Sequence, residues 1–129
     1  MEKATQLSVT LPNIPGQLER LCRVLAQAGV NVRAISVSDA TDLSTIRLLV
    51  SDPSAAQEAL REAGLPPLAR DVLAVELDDK PGALGEVASR LGRSGINIQY
   101  VYGSADSSRG KAVLVFGVDD VDRARQSPT

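Results

Sequence analysis

The sequence predicts an α+β fold built from two copies of one β-α-β-β-α-β unit, the second truncated. Each unit should form an antiparallel sheet with its helices packed on one face. Three observations lead there. First, the chain repeats itself: Pro15-Gly16 returns as Pro81-Gly82, and many positions match at that same offset. Second, both copies open on strict apolar–polar alternation, the period of a half-buried strand. Third, each alternating segment runs through a Pro-Gly turn into a stripe of apolar residues at helical spacing.

Held without gaps, the offset places Leu7, Val9 and Leu11 on Leu73, Val75 and Leu77, and Leu18 and Leu25 on Leu84 and Leu91. Gly29, Val30, Asn31 and Val32 fall on Gly95, Ile96, Asn97 and Ile98; Ser38 falls on Ser104, and Leu48 on Leu114. With 129 residues, the chain divides into units at 1–70 and 71–129, each so small that it would bury little surface alone. Aromatic residues make up only 2% against 43% hydrophobic, so Leu, Val, Ile and Ala must build the core.

In order, the first unit opens with a strand through Leu7, Val9 and Leu11, followed by a helix whose stripe is Leu18, Leu21, Cys22, Leu25 and Ala28. Cys22 is thereby expected in the core. Gly29 and Gly95 stand where a helix ends in a left-handed residue. Val32 to Val37 and Ile46 to Val50 read as a hairpin around Asp39-Ala40-Thr41-Asp42. Asp52-Pro53 opens a second helix, with Asp as N-cap and Pro in the first turn; Ala55, Ala56, Ala59, Leu60 and Ala63 form its buried face and Gly64 its end. After Leu65-Pro66-Pro67, Leu68 to Val72 make a fourth strand running on into the second unit. There Leu84, Val87, Ala88 and Leu91 form the helix stripe, and Ile98 to Val101 and Ala112 to Phe116 the hairpin strands. Asp119-Asp120 can cap a short helix from Val121 to Arg125, but no fourth strand follows. Tyr100 and Tyr102 share one strand face and are expected to cover the sheet or an interface. Arg123 and Arg125 are expected on a solvated helix face. The element order is ferredoxin-like.

Several functions are disfavoured. A net charge of −2 supplies no basic excess for nucleic acid. The absence of histidine removes the commonest general base and metal ligand. One cysteine forms neither an intrachain disulfide nor a zinc cluster. Neither a signal peptide nor an apolar run of membrane-spanning length is visible, so a cytoplasmic location is expected. Among uses of this fold, RNA recognition needs aromatics in the central strands, and here a single Phe stands there. Metal transfer needs a Cys-x-x-Cys in the first loop. Acyl-phosphatase chemistry needs a phosphate loop around Arg and Asn, and Arg20 and Asn31 lack one.

The segment Leu77-Asp78-Asp79-Lys80-Pro81-Gly82-Ala83-Leu84, then Leu91, then Gly95-Ile96-Asn97-Ile98, resembles the signature of the ACT domain family. Asn13-Ile14-Pro15-Gly16-Gln17-Leu18, then Leu25, then Ala28-Gly29-Val30-Asn31-Val32, is a second match. Together they resemble tandem ACT proteins that stand alone. The resemblance implies a regulatory protein that binds a small molecule, a free amino acid first of all, without catalysis, metal or cofactor. It also implies the ligand-binding residues: Asn13, Pro15, Gly16, Gln17, Leu18 and Asn31 in the first unit, and Asp79, Pro81, Gly82, Ala83, Leu84 and Asn97 in the second. The physical logic is plain. A helix N-terminus presents free N–H groups and partial positive charge to a carboxylate, a glycine allows close approach, and a carboxamide both donates and accepts. Asn13 is neutral where Asp79 is acidic, which gives the two sites different affinities or leaves only one working. A homodimer is expected to cover the open edge of the truncated unit, with a regulated enzyme as a further partner. The alternative is a ligand-free interaction module or regulatory subunit, in which the Pro-Gly turns are merely helix caps.

Overall fold

A computed structural model describes residues 1–106 and 110–127. The elements run β1 (Glu2–Pro12), α1 (Gln17–Gln27), β2 (Val32–Ala40), β3 (Leu43–Val50), α2 (Pro53–Glu62), β4 (Leu68–Asp78), α3 (Ala83–Arg93), β5 (Ile98–Asp106), β6 (Lys111–Val118) and α4 (Val121–Arg125). The α+β architecture of two ferredoxin-like units is as the sequence predicts. The strands of the first are ordered β2-β3-β1 and those of the second β4-β6-β5, with antiparallel pairing throughout.

The division between the units differs from a simple cut. One unit is Thr5–Arg70; the other is Asp71–Thr129 together with Met1–Ala4. Met1 packs against the core of the second unit. Lys3 Nζ lies 3.6 Å from Asp71 and 3.4 Å from Asp122. The opening of β1 thus stands with the unit for which the sequence offered no fourth strand.

The repeat is closer than a gapless offset shows, and it shifts once. Helices α1 and α3, and strands β2 and β5, start 66 positions apart (17 to 83, 32 to 98). From β3 and β6 onward the spacing is 68 (43 to 111), because the loop between β5 and β6 is two residues longer than Thr41-Asp42. The pairing proves the point: Leu7 faces Leu48 in one unit, and Leu73 faces Phe116 in the other. The counterpart of Leu48 is therefore Phe116, and Leu114 corresponds to Ile46. Even the register irregularity repeats, at Val32/Ala34 and at Ile98/Tyr100.

Local chemistry accounts for the helix ends. In α1 the Val30 N–H donates to Leu25 O (2.9 Å) and the Gly29 N–H to Ala26 O (3.0 Å), with Gly29 at φ 72°. This is the Schellman arrangement. It recurs at Gly95, where the Ile96 and Gly95 N–H groups donate to Leu91 O and Gly92 O. Asp52 caps α2 by accepting from the Ala55 N–H at 3.1 Å, and Asp120 caps α4 by accepting from the Arg123 N–H at 3.0 Å.

Each unit has its own aliphatic core. The first gathers Leu7, Val9, Leu21, Leu25, Leu48 and Leu60 among others; the second gathers Leu73, Val87, Leu91 and Phe116. On α1 the buried line is narrower than the apolar stripe. Leu21 and Leu25 are buried, whereas Leu18, Cys22 and Ala28 are exposed. Cys22 is therefore not a core residue: it lies about 100° around the helix from Leu21, past the edge of the face the sheet can cover. Arg123 is exposed on α4, as expected, and also makes a contact the sequence did not show. Its guanidinium donates to Ser94 O at 2.6 Å, holding the end of α3.

Candidate functional site

The Pro15-Gly16 turn is shaped by its glycine. Gly16 has φ 90° and ψ −10°, the left-handed geometry of the third residue of a type II turn, and it caps α1 without a side-chain hydrogen bond. Gly82 does the same before α3, at φ 88° and ψ −14°. An L-side chain at either position would be strained. Both helices therefore begin on backbone donors that no side-chain cap covers, the arrangement that suits an anion.

Beside the start of α1 lies a hollow of about 120 Å³ lined by Leu11, Pro12, Asn13, Ile14, Gln17, Leu18, Val37, Ser44 and Ile46. Of the residues expected to bind ligand in this unit, Asn13, Gln17 and Leu18 line the hollow, whereas Pro15 and Gly16 are not among its lining residues. Asn13 is firmly held. Its Nδ2 donates to Asp39 Oδ1 (2.8 Å) and to Thr41 O (3.1 Å), while its backbone N–H donates to Asp42 O (2.8 Å). Asn13 thereby ties β1 to the β2–β3 turn and fixes one rim of the hollow. Ser44 faces Leu11 across β1 and β3 and is 8% exposed. Ser44 lines the hollow, and no buried side-chain nitrogen or oxygen among the described residues lacks a hydrogen-bond partner.

Asn31 is elsewhere in the unit. It precedes β2, whose far end carries Asp39, so roughly 25 Å of strand separates it from the Asn13 side chain. The Asn31 N–H donates to Ser51 Oγ and its carbonyl accepts from the Ser51 N–H, both at 2.9 Å. Asn97 is held alike by Asp119: its N–H donates to Oδ1 at 3.1 Å and its carbonyl accepts from the Asp119 N–H at 3.3 Å. Within a unit, neither carboxamide joins the Pro-Gly hollow, because a helix returns the chain to the opposite end of the sheet before the second strand begins. Arg20 is likewise engaged structurally, donating to Ala63 O at 3.0 Å.

In the second unit, Pro81, Gly82, Asp79 and Leu84 are exposed, while Ala83 is buried at 8%. The Asp79 N–H donates to Gly110 O at 2.9 Å. Next to it the Lys111 ammonium hydrogen-bonds Asp78, holding that carboxyl below its usual range and raising the pKa of Lys111 in turn. Both groups are solvent-exposed, so this pair orients the loop more than it stabilises the fold. The counterparts of Val37, Asp39, Ser44 and Ile46 are Gly103, Ala105, Ala112 and Leu114. A Cβ on Gly103 would collide with Leu114 Cδ2 and lie 3.2 Å from Val113 O. Leu114 therefore occupies the space that the Val37 side chain takes in the first unit.

The residues missed from the sequence are those on the turn-proximal end of the sheet: Leu11, Val37, Ser44 and Ile46. Their signal is faint. It is a serine where Leu11 requires a core neighbour, and an apolar Val37 that is 51% exposed. A wider groove of about 380 Å³ is lined by Val24, Gln27, Ala28, Ala59, Glu62 and Ala63, none of them a residue expected to bind ligand. Among the described residues no cluster of three or more His, Cys, Asp or Glu could hold a metal ion, and no helix is long and apolar enough to cross a membrane.

Comparison with known proteins bears on the family and the fold. The model of a family described as an ACT domain pair matches residues 2–127. The crystal structure of protein BT0572 from Bacteroides thetaiotaomicron is 31% identical, with a TM-score of 0.89 over 96% of this chain and 85% of that one. The regulatory subunit of aspartate kinase from Thermus thermophilus, in a ligand-free form, shares the fold at 19% identity and a TM-score of 0.70, covering 98% of this chain and 94% of its own. The corresponding subunit from Thermus flavus does so at 17% identity and 0.63, over 98% and 94%. No curated protein matches the chain.

Proposed function

The chain belongs to the ACT domain pair family, and on that premise we propose that it is a regulatory protein that binds a free amino acid and catalyses no reaction itself. The observation that carries this reading is the hollow lined by Asn13, Gln17 and Leu18 around the start of α1. It sets uncapped backbone donors at the start of α1 beside aliphatic walls and a few fixed polar groups. An amino acid needs that combination: a carboxylate meets the helix start, and its side chain enters an apolar recess. The fold shared with regulatory subunits of aspartate kinase supports a role in controlling a partner enzyme. The chain acts in the cytoplasm as a homodimer, since β2 pairs only with β3 among the described residues of its unit and leaves an edge to cover.

A thermal-shift panel of the twenty amino acids tests this directly. A ligand at a hundred times its Kd stabilises the native state by about 2.7 kcal/mol, which for a chain of this size raises Tm by roughly 10 °C. A flat panel at millimolar concentrations refutes amino-acid binding. That result would favour a ligand-free interaction module, a reading supported by the cluster of exposed Ile14 (58%), Leu18 (44%) and Val37 (51%). A monomer in light scattering at micromolar concentration would refute the homodimer.

A further inference from the structure

We infer that Asn13 meets the ligand as a hydrogen-bond acceptor and receives its ammonium group, and that Asp39 is the positioning residue that makes it so. The inference rests on the amino-acid reading above and adds which end of the ligand Asn13 takes and which residue decides it.

An asparagine side chain can present N–H donors or an acceptor oxygen. Here the choice is made by its neighbours. Asn13 Nδ2 donates to Asp39 Oδ1 at 2.8 Å and to Thr41 O at 3.1 Å. Both partners are acceptors, so a flipped amide would set oxygen against oxygen at each contact. With both N–H groups committed, the polar atom this side chain has left to offer is Oδ1. The backbone N–H of Asn13, bonded to Asp42 O at 2.8 Å, fixes the residue further. Asn13 lines the hollow. A ligand carboxylate brought to Oδ1 would be repelled, whereas an ammonium group brings three donors. The Asp39 carboxylate, hydrogen-bonded to the same amide, adds negative charge that favours a cation over a neutral hydroxyl.

The internal repeat supports the same assignment from sequence. The counterpart of Asn13 is Asp79, and β2 and β5 start 66 positions apart, so the counterpart of Asp39 is Ala105. An ionised carboxylate is acceptor-only in every orientation and needs no second residue to turn it. The asparagine is accompanied by an orienting aspartate, and the aspartate by an alanine. Each unit thus keeps one acceptor and one negative charge on this pair of positions, with different residues. A bond whose only task was to tie the first strand to the hairpin turn would be expected in both units. An alanine side chain cannot make it, yet acceptor and charge persist.

The test is an NMR titration of the full chain, read at the Gly16 and Gly82 amides, one in each unit. The probes are the twenty amino acids, each beside its des-amino acid, such as propanoate for alanine and 4-methylpentanoate for leucine. For the amino acid that shifts Gly16, the des-amino acid should bind at least about tenfold more weakly, because a hydrogen bond to a charged group is lost. Asp39→Ala frees the amide to turn. It should weaken that amino acid by about tenfold and narrow its lead over the des-amino acid, with the Gly82 titration unchanged. Asn13→Asp joined to Asp39→Ala copies the pair of the second unit and should restore both affinity and lead. That rescue separates positioning from a structural role, since a lost turn contact would not return with it, and it serves as the second reading if Asp39→Ala alone fails to fold. Equal binding of the des-amino acid at Gly16, an unaltered titration in Asp39→Ala, or a double variant that binds no better than Asp39→Ala overturns the inference while amino-acid binding stands. Shifts confined to Gly82 overturn the roles of Asn13 and Asp39. Failure of every amino acid to shift either glycine overturns the reading under Proposed function, and this inference with it.

Discussion

Replacing Gly117 by alanine isolates a place where an aromatic side chain lies on bare backbone. Gly117 and Tyr100 are paired across β6 and β5. A Cβ on Gly117 would fall 2.6 Å from Tyr100 Cε1, and nearer still to Cζ and Cε2. Real carbon contacts are about 3.5–4.0 Å, so the ring must move by an ångström or more. Tyr100 also stacks on Tyr102, with ring centroids 6.4 Å apart and planes 13° from parallel. Moving it forfeits part of that stacking as well as its cover over the backbone. Overpacking of this kind costs about 1–3 kcal/mol, and part of an aromatic pair worth about 0.5–1.5 kcal/mol is lost with it. We therefore expect Gly117→Ala to destabilise by about 2–3 kcal/mol in urea unfolding. In Tyr100→Ala there is no ring to displace, so adding Gly117→Ala to that background should cost less than about 0.5 kcal/mol. The double-mutant cycle thus predicts a coupling of about 2 kcal/mol. Additive costs within about 0.3 kcal/mol would refute the argument, because they would show that the alanine methyl does not meet the ring.

Thr41 is the one non-glycine residue with positive φ among those described, at 63°; Thr41→Gly should raise stability by about 1 kcal/mol, read as a higher urea midpoint. Asn13→Ala removes the hydrogen bonds to Asp39 and Thr41 and should cost about 1–2 kcal/mol, with faster amide exchange confined to the β2–β3 turn. Because Lys111 depresses the Asp78 pKa, that carboxylate contributes stability above its unfolded pKa and loses it as pH falls through the lower, folded value. Lys111→Ala should therefore move the Asp78 carboxyl resonance in an NMR titration up toward the ordinary carboxylate range, and an unchanged midpoint would refute the pairing.

Much of the fold is visible in local pattern, and the particular elements show why. Asp52-Pro53 and Asp120 announce the starts of α2 and α4, since a cap needs only its own next turn. Gly29 and Gly95 announce helix ends for the same reason. The site is half visible. Asn13, Gln17 and Leu18 flank the turn in the chain, whereas Val37, Ser44 and Ile46 reach the hollow only through strand pairing. The same limit applies to Asn31, because adjacency to a helix end says nothing about which end of the sheet it occupies. Cys22 misled because helical spacing marks an apolar arc without marking how much of that arc a sheet covers.

The sequence by itself determined that this protein is a duplicated β-α-β-β-α-β chain, because strand alternation, helix stripes and glycine stops are short-range properties of the backbone. Only the tertiary structure decided that Met1–Ala4 stand with the second unit, that Phe116 rather than Leu114 answers Leu48, and that Leu114 lies over Gly103 in the place the Val37 side chain takes in the first unit. Each of those depends on register between strands distant in the chain. A two-residue difference in one hairpin loop shifts that register's numbering without leaving a mark on any single segment.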